Sequence, residues 1–132
     1  MELATDKLEE ICQLCDVEIA NINCAEQIII TGVGDTVDRA MDLSTEAGAK
    51  KCVKLNVSGP WHSRCMSLAR EKFEPVVRQC NFRDPNIPVI NNVDGKPLES
   101  GAEAPQKLVD QLCGSVLWQQ SIEWMLNAGF NQ

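Results

Sequence analysis

Apolar residues recur at helical spacing across residues 5–16 (TDKLEEICQLCD), where Leu8, Ile11, Cys12 and Cys15 form one stripe. Thr5 or Asp6 is placed to cap this helix, and acidic side chains occupy the first turn, where the helix dipole favours negative charge. The period then changes. Residues 17–23 (VEIANIN) and 27–32 (QIIITG) predict two strands, and the short link around Cys24-Ala25-Glu26 suits an antiparallel hairpin. Helical spacing returns at Val37, Ala40, Met41 and Ser44, with Asp35 or Thr36 as N-cap and Gly48 as C-cap. KKCVKLNV (50–57) alternates loosely and predicts a further strand.

The resulting order, α-β-β-α-β, is the ferredoxin-like β-α-β-β-α-β unit without its first strand. A helix that begins by residue 5 leaves no room for a strand before it, so this segment reads as truncated at its N-terminus. Beyond Ser58-Gly59-Pro60 the pattern changes character. A helical stripe (Met66, Ala69, Phe73, Val76, Val77) covers residues 62–79, with Arg64, Arg70, Lys72 and Arg78 as a solvated face. A short strand, Ile87 to Ile90, precedes an Asp94-Gly95 turn, and two more helices follow at about 104–113 (Leu108, Val109, Leu112) and 117–128 (Ile122, Met125, Leu126). One strand among several helices builds no closed sheet. The expected fold class is therefore α/β (α+β), with residues 1–57 an incomplete ferredoxin-like subdomain and 58–132 part of a larger α/β domain.

The 132 residues amount to about one domain, and a hydrophobic fraction of 44% is ample for a core. A net charge of −7 speaks against nucleic acid and anionic membranes, which attract positive surfaces. Lys50, Lys51 and Lys54 form a local basic patch, either a solvated strand edge or a contact for an acidic partner. No apolar leader and no membrane-length apolar run is evident, so a cytoplasmic, reducing setting is expected for the seven cysteines. Cys12-x-x-Cys15 invites a zinc or thiol-redox reading, but no second pair accompanies it and both residues fall on the apolar stripe. Core packing explains them.

His62 is the only histidine. It sits in Ser58-Gly59-Pro60-Trp61-His62-Ser63, at a strand-to-helix junction of the kind that presents a side chain to a cleft. Nucleophilic catalysis requires a nucleophile within reach of such a base. Ser58 and Ser63 lie too near in sequence for an easy dyad, and no serine stands in a G-x-S-x-G setting. Gly32-x-Gly34 lacks the third glycine of a dinucleotide loop. Asn56-Val57-Ser58 matches a glycosylation sequon that a cytosolic chain does not use. No carboxylate pair or metal-ligand cluster stands out.

Four blocks, in order, carry a resemblance. Asn21-x-Asn23-x-x-x-Gln27-Ile-Ile-Ile-Thr-Gly32 resembles the N-x-N-x-x-x-Q-x-V-I-x-G stretch of bacterial malonyl-CoA:acyl carrier protein transacylases. Val57-Ser58-Gly59-Pro60-Trp61-His62-Ser63-Arg64-Cys65-Met66 is similar to their V-S-G-P-F-H-x-x-x-M segment. Ile87-Pro88-Val89-Ile90-Asn91-Asn92-Val93-Asp94, and Leu112-x-x-Ser115-Val116-x-Trp118 through Ile122, match the later P-V-x-x-N-V-D and L-x-x-P-V-x-W-x-x-S-I blocks.

The resemblance implies a ferredoxin-like domain inserted into an α/β-hydrolase-like acyltransferase. In such enzymes a serine in G-H-S-x-G attacks a malonyl thioester of coenzyme A and passes the acyl group to the phosphopantetheine thiol of acyl carrier protein, for fatty acid or polyketide synthesis. No further cofactor is implied. His62 would be the base, and Asn21, Asn23 and Gln27 would line the acyl-CoA cleft. Trp61, where the family commonly has Phe, would wall the acyl pocket. The family's serine, oxyanion-loop glutamine and malonyl-binding arginine lie upstream of these blocks. Its histidine-orienting carbonyl is expected in a G-P-G segment beyond Phe130. Taken alone, the chain is thus expected to be inert and, with exposed strand edges, prone to self-association. The alternative is a non-catalytic ferredoxin-like module that binds a carrier protein or another partner.

Overall fold

The computed structural model of the chain describes residues 4–130. Helix α1 (Thr5–Cys15) leads through a hairpin, β1 (Glu18–Cys24) and β2 (Gln27–Thr31), into helix α2 (Thr36–Glu46). The hairpin is antiparallel, with Glu18 opposite Thr31 and Cys24 opposite Gln27. Leu8, Ile11, Cys12, Cys15, Val17 and Ala40 form the core beneath it, and Ile19, Ile28, Ile30 and Val37 pack against that core. The 3.6-residue stripe of α1 thus meets the period-2 face of the hairpin, with Leu8, Ile11 and Val17 each contributing about 1.5–3 kcal/mol by burial.

Local signals set most of the boundaries. Gly48 has φ +102°; its N–H bonds to the Thr45 carbonyl (3.0 Å) while the Ala49 N–H bonds to that of Ser44 (2.9 Å). This is the left-handed helix stop expected of a glycine there. At the start of α1, the N-cap is Ala4 rather than Thr5 or Asp6, and no side chain caps the helix. Thr5 is already helical, and Asp6 lies in the first turn, where the dipole still favours its charge.

Residues 50–57 belong to no ladder, contrary to the strand expected there. Strand propensity is realised only beside another strand, and β2 pairs with β1 alone. Ile87–Ile90 likewise forms no strand. Only an isolated bridge joins Ile90 to Pro97, because Pro88 and Pro97 donate nothing and Ile87 remains largely exposed. The Asp94-Gly95 turn is present, with the Gly95 N–H bonded to the Asn91 carbonyl at 3.1 Å. Burial pushes the Asp94 carboxyl up, yet bonds from Lys107, Asn91 and the Lys96 N–H together hold it below the ordinary range.

A short 3-10 turn (Arg64–Met66) precedes α3 (Ser67–Val77), which ends two residues past Pro75, a residue that cannot donate to the preceding turn. Of the stripe expected on this helix, Val77 is buried, whereas Ala69 and Val76 are exposed. Nor is the basic set simply solvated: Arg70 bonds Asp110 (2.9 Å) and Arg78 bonds Gln106 (2.9 Å), tying α3 to α4 (Ala104–Asp110). Helix α4 stops short of the expected residue 113. Its last turn tightens as the Cys113 and Gly114 N–H groups both bond the Asp110 carbonyl. Helix α5 (Trp118–Asn127) then packs on β1.

The two halves are stitched together along β1. The Ile22 N–H bonds to the Val116 carbonyl at 2.9 Å, the Val116 N–H to that of Ala20 at 2.8 Å, and the Ser115 hydroxyl to the Ile19 carbonyl. No described helix is long and apolar enough to cross a membrane.

Cys12 and Cys15 lie in the core as the stripe implied, and both thiols are free. Burial, with Cys15 and Glu9 nearby, pushes the Cys12 thiol up to about 11. Exposed Cys24, Cys65 and Cys80 should therefore consume a disulfide reagent at pH 8 well before Cys12 and Cys15, which react on unfolding. Equal rates at all sites would overturn this burial pattern. Because the folded state holds the Cys12 proton more tightly, its contribution to stability is complete below pH 9 and declines as pH rises toward 11.

Candidate functional site

The segment between residues 57 and 66 turns sharply instead of running straight into α3. Ser63, fully buried, explains part of the turn: its hydroxyl donates to the Pro60 carbonyl (2.6 Å) and accepts from the Cys65 N–H (3.2 Å), capping the 3-10 turn. That hydroxyl is occupied structurally, in keeping with the absence of a sequence-local dyad. His62, just before it, has φ +59°, a conformation that costs a non-glycine residue about 1–2 kcal/mol.

Neighbouring contacts hold the strained turn. The main-chain N–H of Arg64 donates to both Glu18 carboxylate oxygens (3.0 and 3.3 Å), and its guanidinium meets Asp16 at 2.5 Å. Asp16 has φ +59° as well, and these two are the non-glycine residues of positive φ among those described. Arg64 thus clamps the His62 turn to the α1–β1 corner.

The imidazole is oriented from the far side of the chain. His62 Nδ1 lies 2.8 Å from the main-chain carbonyl of Gln111, in the turn that ends α4. A carbonyl only accepts, so Nδ1 carries the proton and Nε2 of the neutral ring keeps its lone pair. Nε2 has no hydrogen-bond partner among the described residues. The geometry is that of a general base held in one tautomer. The orienting carbonyl therefore lies within this chain, at Gln111, and not in a segment beyond Phe130. Asn92 Nδ2 in turn donates to the Gln111 side chain at 3.2 Å.

A groove of about 1210 Å³ runs from β1 along β2 to residues 49–62. Asn21, Gln27, Trp61 and His62 all line it. Asn23 does not; it sits at an irregularity in the β1–β2 register, between Ile22 and Cys24. The Trp61 indole lies over Gly59, about half-exposed to the groove. On its other side His62 borders a smaller cleft with Glu18, Cys113 and Ser115. No group of His, Cys, Asp and Glu suited to a metal ion occurs among the described residues.

Sequence reasoning missed Gln111 and Glu18. The first acts through a main-chain carbonyl, which no side-chain pattern announces; the second acts on an N–H 46 residues away.

No family model matches the chain. Among individual proteins, the malonyl CoA-acyl carrier protein transacylase of Bacillus subtilis (strain 168) is 38% identical over 129 residues, 98% of this chain and 40% of that protein. The crystal structure of FabD from Acinetobacter baumannii superposes with a TM-score of 0.92 at 35% identity, over 99% of this chain and 43% of that one. Over nearly its whole length the chain is thus similar to malonyl-CoA:acyl carrier protein transacylases. A second transacylase, solved in complex with a type II polyketide acyl carrier protein, gives a TM-score of 0.92 at 32% identity over 98% of this chain and 43% of its own. The chain thus spans about 40% of the length of its curated transacylase relatives.

Proposed function

We propose that this chain supplies the general base and one wall of the acyl cleft of a malonyl-CoA:acyl carrier protein transacylase. The observation that carries this reading is the 2.8 Å contact between His62 Nδ1 and the Gln111 carbonyl, which leaves Nε2 as the basic nitrogen. In the complete enzyme, Nε2 takes the proton of the family's serine as that oxygen attacks the malonyl thioester. Coenzyme A leaves as a thiol, and the malonyl-serine ester forms. The thiol of a phosphopantetheinylated carrier protein then displaces the serine, with His62 as base toward the incoming sulfur. Asn21, Gln27 and Trp61 form the cleft wall beside the base, a setting for the acyl-CoA; Asn23 belongs to this set by resemblance alone. A cytoplasmic setting suits a chain whose cysteines are all free thiols.

The test is a chimera in which these residues replace the matched 129 of the Bacillus subtilis relative. It should transfer malonyl from malonyl-CoA to holo acyl carrier protein, while the chain alone transfers none. A folded chimera without transfer, or turnover by the chain alone, would sink the reading.

A further inference from the structure

We propose that Glu18 is a positioning residue for acyl transfer: its grip on the Arg64 N–H keeps the His62 ring seated on the Gln111 carbonyl.

The base and the carbonyl that orients it come from separate parts of the chain. His62 precedes α3, and Gln111 follows the end of α4. Among the described residues no main-chain hydrogen bond joins the two turns directly. Arg70 reaches Asp110 at 2.9 Å, but from the first turn of α3, with the 3-10 turn between it and the histidine. What both turns share is the start of β1. Glu18 accepts the Arg64 N–H with both carboxylate oxygens (3.0 and 3.3 Å). The next carbonyl, of Ile19, accepts the Ser115 hydroxyl, and that of Ala20 accepts the Val116 N–H at 2.8 Å. The Cys113 and Gly114 N–H groups, both on the Asp110 carbonyl, tie Gln111 into that same segment (3.2 and 3.0 Å). Consecutive residues of one strand, itself laddered to β2, thus set the spacing between base and orienting carbonyl.

Of these contacts to β1, the one at Glu18 is made by a side chain. The carbonyls of Ile19 and Ala20 remain whatever side chains stand there. On the histidine side the turn is strained, with φ +59° at His62, and such a conformation persists only while its surroundings over-determine it. The Ser63 hydroxyl bonds within the turn, to Pro60 and Cys65, and so shapes it without attaching it to β1. The Arg64–Asp16 ion pair is exposed at both ends, where such pairs contribute little. Glu18 is half-buried and borders the small cleft beside His62, so its carboxylate is the anchor that locates the ring. A displaced base takes its proton more slowly, with little change in substrate binding. The role of Glu18 in transfer rests on the acyl-transfer reading; the seating of the ring does not.

The experiment has two arms. In the active chimera, Glu18→Ala should lower kcat for malonyl transfer about tenfold or more, while KM for malonyl-CoA changes less than about twofold. Glu18→Gln keeps an oxygen for the Arg64 N–H and removes the charge, so kcat should stay within about threefold of the parent. The second arm reads the chain itself. His62 is its only histidine, so nitrogen NMR of the isotope-labelled chain shows a single imidazole. With the ring neutral, the parent and Glu18→Gln should carry the proton on Nδ1, and Glu18→Ala should show both tautomers. The β1–β2 ladder uses no Glu18 side-chain atom, so amide exchange along it should be the same in both variants. Four results would overturn the proposal: full kcat in Glu18→Ala, a Gln variant as slow as the Ala one, a tautomer indifferent to Glu18→Ala, or β1 protection lost with the carboxylate. The ring is read without turnover, so a chimera that stays fast with His62→Ala counts against the acyl-transfer reading alone. Slow transfer in His62→Ala beside full kcat in Glu18→Ala would instead leave that reading standing and remove Glu18 from it.

Discussion

Replacing His62 by alanine in the active chimera should lower the rate of malonyl transfer by at least about a thousandfold, some 4 kcal/mol of barrier. The loss should fall on transfer and not on folding, because the turn around His62 is held by other groups: the Ser63 hydroxyl on Pro60, the Arg64 N–H on Glu18, and the Arg64 guanidinium on Asp16. Gln111→Ala provides the contrast. It removes a side chain bonded to Asn92 but keeps the carbonyl that orients the ring, so transfer should change by less than about threefold. A His62→Ala chimera as fast as its parent would show that Nε2 takes no proton. A thousandfold loss in Gln111→Ala would instead place the side chain, not the carbonyl, in the orienting role.

The largest stability effect is expected at Gly101. A β-carbon built there would fall inside the main chain of Arg83, overlapping its carbonyl carbon and oxygen, and lie 2.9 Å from the Asp84 nitrogen. Neither neighbour can rotate away as a side chain would. The Gly101 N–H also donates to the Asp84 carboxylate (2.8 Å), so the two segments cannot separate without breaking that bond. Gly101→Ala should cost about 3 kcal/mol or more, a large share of a typical domain's stability. At Gly34 a β-carbon meets nothing within 4 Å, and only its φ of +62° is unfavourable. Gly34→Ala should therefore cost about 1 kcal/mol. Urea denaturation of the two variants measures the difference. Equal midpoints would mean that the Arg83–Gly101 approach is looser than described.

The two halves of the chain differ in how much of their structure the residue pattern foretells. In residues 5–48 the stripe of α1, the β-branched runs and Gly48 each act on near neighbours, and the observed elements match them within a residue or two. Where pattern and structure part, at 50–57 and 87–90, the missing ingredient is a partner. Alternating side chains make a strand only when another backbone lies alongside. Proline governs the second case directly: Pro88 cannot donate a ladder bond, whatever Ile87, Val89 and Ile90 prefer. The cysteine pair was legible for the same reason as the helix, since Cys12 and Cys15 fall on its buried stripe.

At the candidate site, the motif around His62 identified the residue, and family likeness supplied the role proposed for it. The residue types alone could not show that Asn21, Gln27 and Trp61 share one groove with it while Asn23 does not, since that depends on the β1–β2 register and its two irregularities. Sequence by itself determined the helices, the hairpin, the buried thiols and the histidine, because these follow from periodicity and from interactions a few residues long. Only the tertiary structure decided which nitrogen of His62 is basic. That depends on a main-chain carbonyl 49 residues away, and every residue type carries an identical carbonyl, so no sequence pattern could mark it.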